Sequence, residues 1–230
     1  MQSSLAATLY LASTWVLPVV IAITFHEASH GFVAHRFGDE TAWRAGRVTF
    51  NPLKHIDLYG TILLPALLLL LRSPFLFGYA KPVPVNFRAL GNPRRDMVWV
   101  AAAGPGMNLA LAIAAGLVHR LVSPAGGGNW IAANLEHAIF INVLLAVFNM
   151  IPLPPLDGGR VAIGLLPDAL ARPLARLERH GMLILLLLIF VLPYVGRNMG
   201  VNLDVISWLL ARPVEYLLHL VGVITGTYLQ

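Results

Sequence analysis

The sequence contains no cysteine. Disulfide scaffolds, thiolate zinc sites and cysteine nucleophiles are therefore excluded. Charge is also scarce. Asp, Glu, Lys and Arg make up 12% of the 230 residues, whereas hydrophobic residues make up 57%. Ordinary soluble domains carry about 25% and about 45–50%, respectively. A soluble fold of this length could not cover itself with so few charges, and disorder requires the opposite balance. Residues 1–25 have no Asp, Glu, Lys, Arg or His at all. No basic segment opens this stretch and no cleavage site closes it, so it reads as a retained transmembrane helix rather than a signal peptide. No compact basic run interleaved with aromatic residues is present, which argues against a nucleic-acid partner. The net charge of +5 suits anionic membrane lipids instead.

The composition that remains is that of an all-α polytopic membrane protein. A span needs about 20 apolar residues. The apolar runs place about six transmembrane helices, at roughly 5–37, 58–71, 97–118, 131–151, 180–196 and 201–228. The second is short for a full crossing. Short extended or hairpin segments are expected between the first and third spans. Val48-Thr49-Phe50 has the composition of a strand, and the prolines of Lys81-Pro82-Val83-Pro84-Val85-Asn86-Phe87 forbid a helix there. Gly126-Gly127-Gly128 reads as a turn, and Pro152, Pro154 and Pro155 end the fourth span. Residues 156–180 read as a connector with a short helix after Gly159, and Pro213 is expected to kink the last span. Loops share the remaining residues, so residues 1–230 form a single membrane-embedded domain. The core of that domain is expected to cover about 5–165, with additional helices at about 180–228. With six crossings, the loops at 72–95 and 160–179 carry nine Lys and Arg against six on the other side. That bias favours a cytoplasmic 160–179 connector and cytoplasmic termini.

The first ionisable residues form the sharpest motif, His26-Glu27-Ala28-Ser29-His30. On a helix, positions i and i+4 share one face, so both imidazoles can hold one zinc ion while Glu27 reaches a water beside it. A charge near the centre of a membrane helix costs about 3 kcal/mol on insertion scales, and such residues are functional candidates by default. A bound dication offsets that cost. A catalytic zinc takes three protein ligands and keeps a fourth position open. His35 lies beside Arg36, and His55, His119, His137, His180 and His219 sit near span ends, where interfacial histidines are common. Asp157 differs, because prolines break the helix before it and Gly158-Gly159 permit close approach of another segment. An Asp at this place can equally cap the next helix. Beside the histidine pair it becomes the candidate third ligand.

The membrane-embedded HExxH, together with Asn149-x-x-Pro152-x-x-Pro155-Leu156-Asp157-Gly158-Gly159, resembles the site-2 protease family of intramembrane zinc metalloproteases. The likeness extends to Gly38-Asp39-x-Thr41-Ala42, Gly46-Arg47-x-Thr49-x-Asn51-Pro52-Leu53-x-His55-Ile56-Asp57 and Gly60-Thr61. It also includes Lys81-Pro82-Val83-Pro84-Val85-Asn86 and Ala103-Gly104-Pro105-x-x-Asn108. These motifs cover about residues 20–165 and are similar to the compact prokaryotic branch without a PDZ or CBS domain.

The resemblance implies one zinc ion held by His26, His30 and Asp157, with Glu27 as the general base. It implies hydrolysis of peptide bonds in or near transmembrane segments, that is, regulated intramembrane proteolysis. Asn149 is a candidate for holding the oxyanion or substrate backbone, or else for capping the broken helix. Asn108 is expected to pack the third span against the catalytic pair through small-residue contacts. Lys81–Phe87 is expected either to pair with an unwound substrate as an edge strand or to form a re-entrant or surface hairpin. The implied partners are a transmembrane protein substrate and membrane lipids, in a prokaryotic plasma membrane. Two rival readings use the same residues: a membrane metal-ion transporter, and an inactive relative that only binds substrate.

Overall fold

The computed structural model describes residues 5–70, 78, 80–122 and 129–227. The Gly126–Gly128 turn and Arg72 lie outside them. In chain order the helices are α1 (Leu5–Arg36), α2 (Thr41–Arg44), α3 (Leu64–Leu70), α4 (Pro93–Val122) and α5 (Trp130–Asn149). There follow α6 (Asp157–Leu165), α7 (Asp168–Leu186), α8 (Leu192–Asn198) and α9 (Val205–Thr225). No strand occurs among the described residues. Five helical stretches are long and apolar enough to cross a membrane: Leu9–Arg36, Pro93–Val122, Trp130–Asn149, Asp168–Asn198 and Val205–Thr225. The remaining apolar run begins as a π-helical stretch, Leu58–Leu63, and continues as the short α3. The chain is an integral, multi-pass membrane protein.

Helix α4 is the hub of the bundle and packs against α1, α5, α6 and α9. Its buried side is made of Val100, Ala101, Gly104, Pro105, Asn108, Ala112, Ala115 and Gly116. Burying an apolar side chain gives helices little drive to associate within lipid, so close contact of small residues must supply it. Ala112 and Ala115 meet Ile139 and Val143 of α5 and Val214 and Val221 of α9 in one core cluster. Large apolar side chains such as Leu9, Val16, Leu121 and Trp208 point outward.

Two local expectations are corrected. Residues 48–50 are bends rather than a strand. Thr49 uses its hydroxyl to accept from the Asn51 amide and its carbonyl to bond His55 Nε2, so the backbone turns instead of extending. The connector after α6 is also shorter than expected. The helix begins at Asp168 instead of His180 and continues through the π-helical stretch Leu187–Val191 into α8. Residues 168–179 are amphipathic, and that periodicity is weaker in a hydropathy reading than the apolar run that follows.

The proline-rich segment is extended as expected, without a strand partner among the described residues. It is pinned at both ends. Arg47 donates through Nη2 to the Lys81 carbonyl at 2.6 Å, and the Lys81 amide donates to the His55 carbonyl at 2.9 Å. At the other end the Asn86 amide donates to Asp39 Oδ2 at 2.7 Å. Asp39 is fully buried and accepts on Oδ1 from both the amide and the hydroxyl of Thr41. Asp39 follows Gly38, whose φ of 99° turns the chain out of α1 in a region that favours glycine. These contacts lay the segment across α1 beside the histidine motif.

Candidate metal centre

His26 and His30 stand one turn apart on α1 and are both buried. Their Nδ1 atoms are already engaged. His30 Nδ1 lies 2.7 Å from the Val100 carbonyl, which can only accept, so this nitrogen carries the proton. His26 Nδ1 lies 2.6 Å from Asn108 Oδ1. The Asn108 amide nitrogen donates to the Ala22 carbonyl and to Asn142 Oδ1, which leaves its oxygen as the acceptor for His26. With the proton on Nδ1, each imidazole has Nε2 turned away from these partners and free to present a lone pair. Both lone pairs point at Asp157 Oδ2, at 3.1 Å from His26 and 3.4 Å from His30.

The three donor groups lie within 4.8 Å of one another. Asp157 Oδ2 is buried and has no hydrogen-bond donor among the described residues. Three lone-pair donors converging on one point repel each other unless a cation lies between them. The donor set thus fits a divalent metal, and its two nitrogens and one oxygen are the usual choice for zinc. Space for the imidazoles is made by Gly104. A Cβ there would lie 2.6 Å from His26 Cε1 and Nε2 and from His30 Nε2.

Asp157 arrives from the opposite side through the break after α5. Gly158 and Gly159 let α6 start directly against the broken helix end. A Cβ at Gly158 would lie 2.2 Å from the Met150 carbonyl, and one at Gly159 would lie 2.3 Å from Pro154 N. Asp157 is the first residue of α6, its preceding residue makes no side-chain cap, and its carboxylate turns to the histidines. Between metal ligand and helix cap, the geometry favours the first.

Glu27 Oε2 accepts the Val83 amide at 2.8 Å, which ties the HExxH motif to the extended segment. A cavity of about 310 Å³ opens here, lined among others by Glu27, His30, Val83, Asn149, Asp157 and Arg160. A larger cavity of about 500 Å³ between α4, α5 and α9 is lined by apolar residues and carries no titratable group. The candidate ligands His26, His30 and Asp157 all line the smaller one.

Asn149 borders this cavity and donates through Nδ2 to the Leu145 carbonyl at 3.0 Å, within its own helix end. The other histidines stay apart from the cluster. His35 stacks on Trp43, His55 bonds the Thr49 carbonyl, His119 pairs with Glu136, and His137 stacks on Trp15. His180 and His219 are exposed.

Two residues have a larger part than their sequence positions announce. Asn108 is fully buried and orients His26 as well as packing α4. Its signal was an amide one turn after Gly104, on the face that meets α1. Arg160 stacks its guanidinium over Phe87 at 4.5 Å and pairs with Glu178 at 2.8 Å, joining the extended segment to α7 at the cavity. No spacing rule singles it out.

The profile of peptidase family M50 matches residues 116–192. Curated relatives extend the likeness over most of the chain. YwhC of Bacillus subtilis, described as a "Putative zinc metalloprotease", is 39% identical over 185 residues, covering 77% of this chain and 80% of that protein. Two proteins with the same description, both called Rip2, are similar as well. The one from Mycolicibacterium smegmatis is 31% identical, over 77% of this chain and 66% of its own length. The one from Mycobacterium tuberculosis (strain H37Rv) is 30% identical, over 83% and 70%. No solved structure matches significantly. With a membrane-embedded HExxH whose two imidazoles face an aspartate at 3.1 and 3.4 Å, and with these relatives along most of its length, the chain belongs to peptidase family M50, the site-2 protease family of metalloproteases.

Proposed function

We propose that this protein is an intramembrane zinc endopeptidase that hydrolyses peptide bonds in or near the transmembrane segments of membrane proteins. The observation that carries this reading is the convergence of His26 Nε2, His30 Nε2 and the donor-less Asp157 Oδ2, with Glu27 on the same cavity. Those three atoms would hold one zinc ion. When bound, zinc supplies Lewis acidity: it polarises the scissile carbonyl and lowers the pKa of the attacking water to about 7.

The chain's own residues do the rest. Glu27 takes the proton of the attacking water and returns it to the leaving amine, a service worth about 10²–10⁴-fold. The Val83 amide holds Oε2, so Oε1 is the oxygen left for that transfer. Asn108 and the Val100 carbonyl fix both imidazoles in the tautomer that presents Nε2. Asn149 lines the cavity wall; its amide bonds the Leu145 carbonyl of its own helix end, and its remaining amide hydrogen would be the one to meet the substrate backbone or oxyanion.

A substrate helix shields its own peptide bonds, so it must unwind before attack. Irregular backbone at membrane depth is tolerated where it lines a wet cavity, and residues 81–87 and 150–156 provide it. In the extended segment, the Val83 carbonyl and the Val85 amide make no hydrogen bond among the described residues, which leaves them available to an unwound strand. A transporter would need ligands spread over several depths, whereas these converge at one.

The test is cleavage of a panel of single-span substrates by purified protein in detergent. Wild type should cleave, while Glu27→Gln and chelator-treated protein should not. Cleavage that persists in Glu27→Gln with zinc retained would refute the assignment of the base. Zinc flux into liposomes by wild type, with no cleavage, would favour the transporter.

A further inference from the structure

Helix α9 carries charge where a membrane helix should carry none. Its buried side, Val214, Val221 and Thr225, faces α4 and α5. On another side lie Trp208, Arg212, Glu215 and His219, all exposed. The Arg212 side chain is 91% exposed and that of Glu215 is 74% exposed. Val214, one residue before Glu215, packs beside Ala112, Ile139 and Val143, in the middle of the bundle. Arg212 and Glu215 are therefore far from either end of the span, and each such charge facing lipid costs about 3 kcal/mol. Within the chain they approach only to 3.8 Å, at the outer limit of an ion pair.

The spacing of the stripe is informative. Trp208, Arg212, Glu215 and His219 follow each other at intervals of four, three and four. That is the repeat by which two helices pack along a common seam. Beside the stripe runs a groove of about 410 Å³, lined by Ala211, Val214, Glu215, Leu218, His219 and Gly222. The small, exposed Ala211 allows a second helix to approach.

We infer that this face is a dimer interface, covered by α9 of a second copy of the chain. The charges select that occupant, because both signs stand on one stripe about 4.5 Å apart along the axis. Copies inserted in the same orientation are related by a two-fold axis along the membrane normal, so the same residues meet at the same depth. Arg212 of each copy then reaches Glu215 of the other, forming a four-membered network that removes all four charges from lipid. A partner with one sign of charge would satisfy only half of the stripe.

The experiment measures the oligomeric state of the full chain in lipid nanodiscs. Wild type is expected as a dimer. Arg212→Glu and Glu215→Arg should each be monomeric alone, because each makes the stripe one sign. Differently tagged copies of these two variants, mixed before reconstitution, should co-purify. The charge-neutralising double change Arg212→Gln with Glu215→Gln guards against misfolding. It should keep the wild-type melting transition in dilute detergent while self-association weakens about tenfold or more, the effect of losing one or two interhelical polar contacts. A monomeric wild type, a dimer unchanged in the double Gln variant, or single-sign variants that fail to pair when mixed would each overturn the inference.

Discussion

The sharpest consequence of the site geometry concerns a residue with no side chain. Replacing Gly104 with Ala adds one methyl group, which would lie 2.6 Å from His26 Nε2 and from His30 Nε2. Ordinary contact begins near 3.4 Å, so the rings or the helix must give by about 0.8 Å, whereas metal–ligand distances tolerate about 0.2 Å. The rings cannot retreat freely, since Asn108 and the Val100 carbonyl hold their far nitrogens. Parting α1 from α4 would cost about 1–3 kcal/mol of packing, against about 0.5–1 kcal/mol gained from replacing a helical glycine. Gly104→Ala should therefore fold and insert but lose stoichiometric zinc and cleavage together. Gly106→Ala is the matched control, because nothing lies within 4 Å of a Cβ there. It should keep both. The assay is zinc per chain by elemental analysis alongside substrate cleavage. Full zinc and wild-type turnover in Gly104→Ala would refute the placement of the imidazoles.

Other expectations follow from the contacts around the site. Asn108→Ala removes the acceptor that fixes the His26 tautomer and should weaken zinc binding about 10–100-fold, measured by competition with a chelator of known affinity. Asp157→Ala should abolish stoichiometric zinc, and unchanged zinc content would remove it from the ligand set. Asp39→Ala strands the amides of Thr41 and Asn86 and should destabilise the protein by about 3 kcal/mol. Limited proteolysis should then cut within residues 81–89, and a proteolytic pattern like wild type would contradict the pinning role.

Much of the site was legible because its chemistry violates the composition around it. His26, Glu27 and His30 end 25 residues without an ionisable side chain, and in a membrane helix that contrast is itself a signal. Asp157 was legible only in company, since an Asp before a helix is ordinarily a cap; the paired glycines only permitted another segment to approach, and the histidine pair gave that approach a purpose. Asn108 was underestimated because a buried amide in a helix interface has two uses, packing and orientation, which only distance separates. Arg160 had no sequence signature, since its partners Phe87 and Glu178 come from segments far apart in the chain. In the fold, apolar runs located the long helices but misplaced the start of α7, where polar residues share an amphipathic helix with the apolar run. Val48–Phe50 shows the converse: strand-forming residues bend when a neighbouring hydroxyl and imidazole claim the backbone.

The polar contacts that run from Asn142 through Asn108 to His26 join α5, α4 and α1 at one depth. This arrangement sets an order for biogenesis. When α1 leaves the translocation machinery, His26 and Glu27 have neither the Asn108 acceptor nor the Val83 amide, which are still to be synthesised. The candidate metal centre cannot close until Asp157 emerges, after both α4 and α5 are in the membrane. On the proposed assignment, a chain interrupted before that point would carry Glu27 and two histidines but no third ligand, so a half-made copy would be unable to cut its neighbours in a crowded membrane.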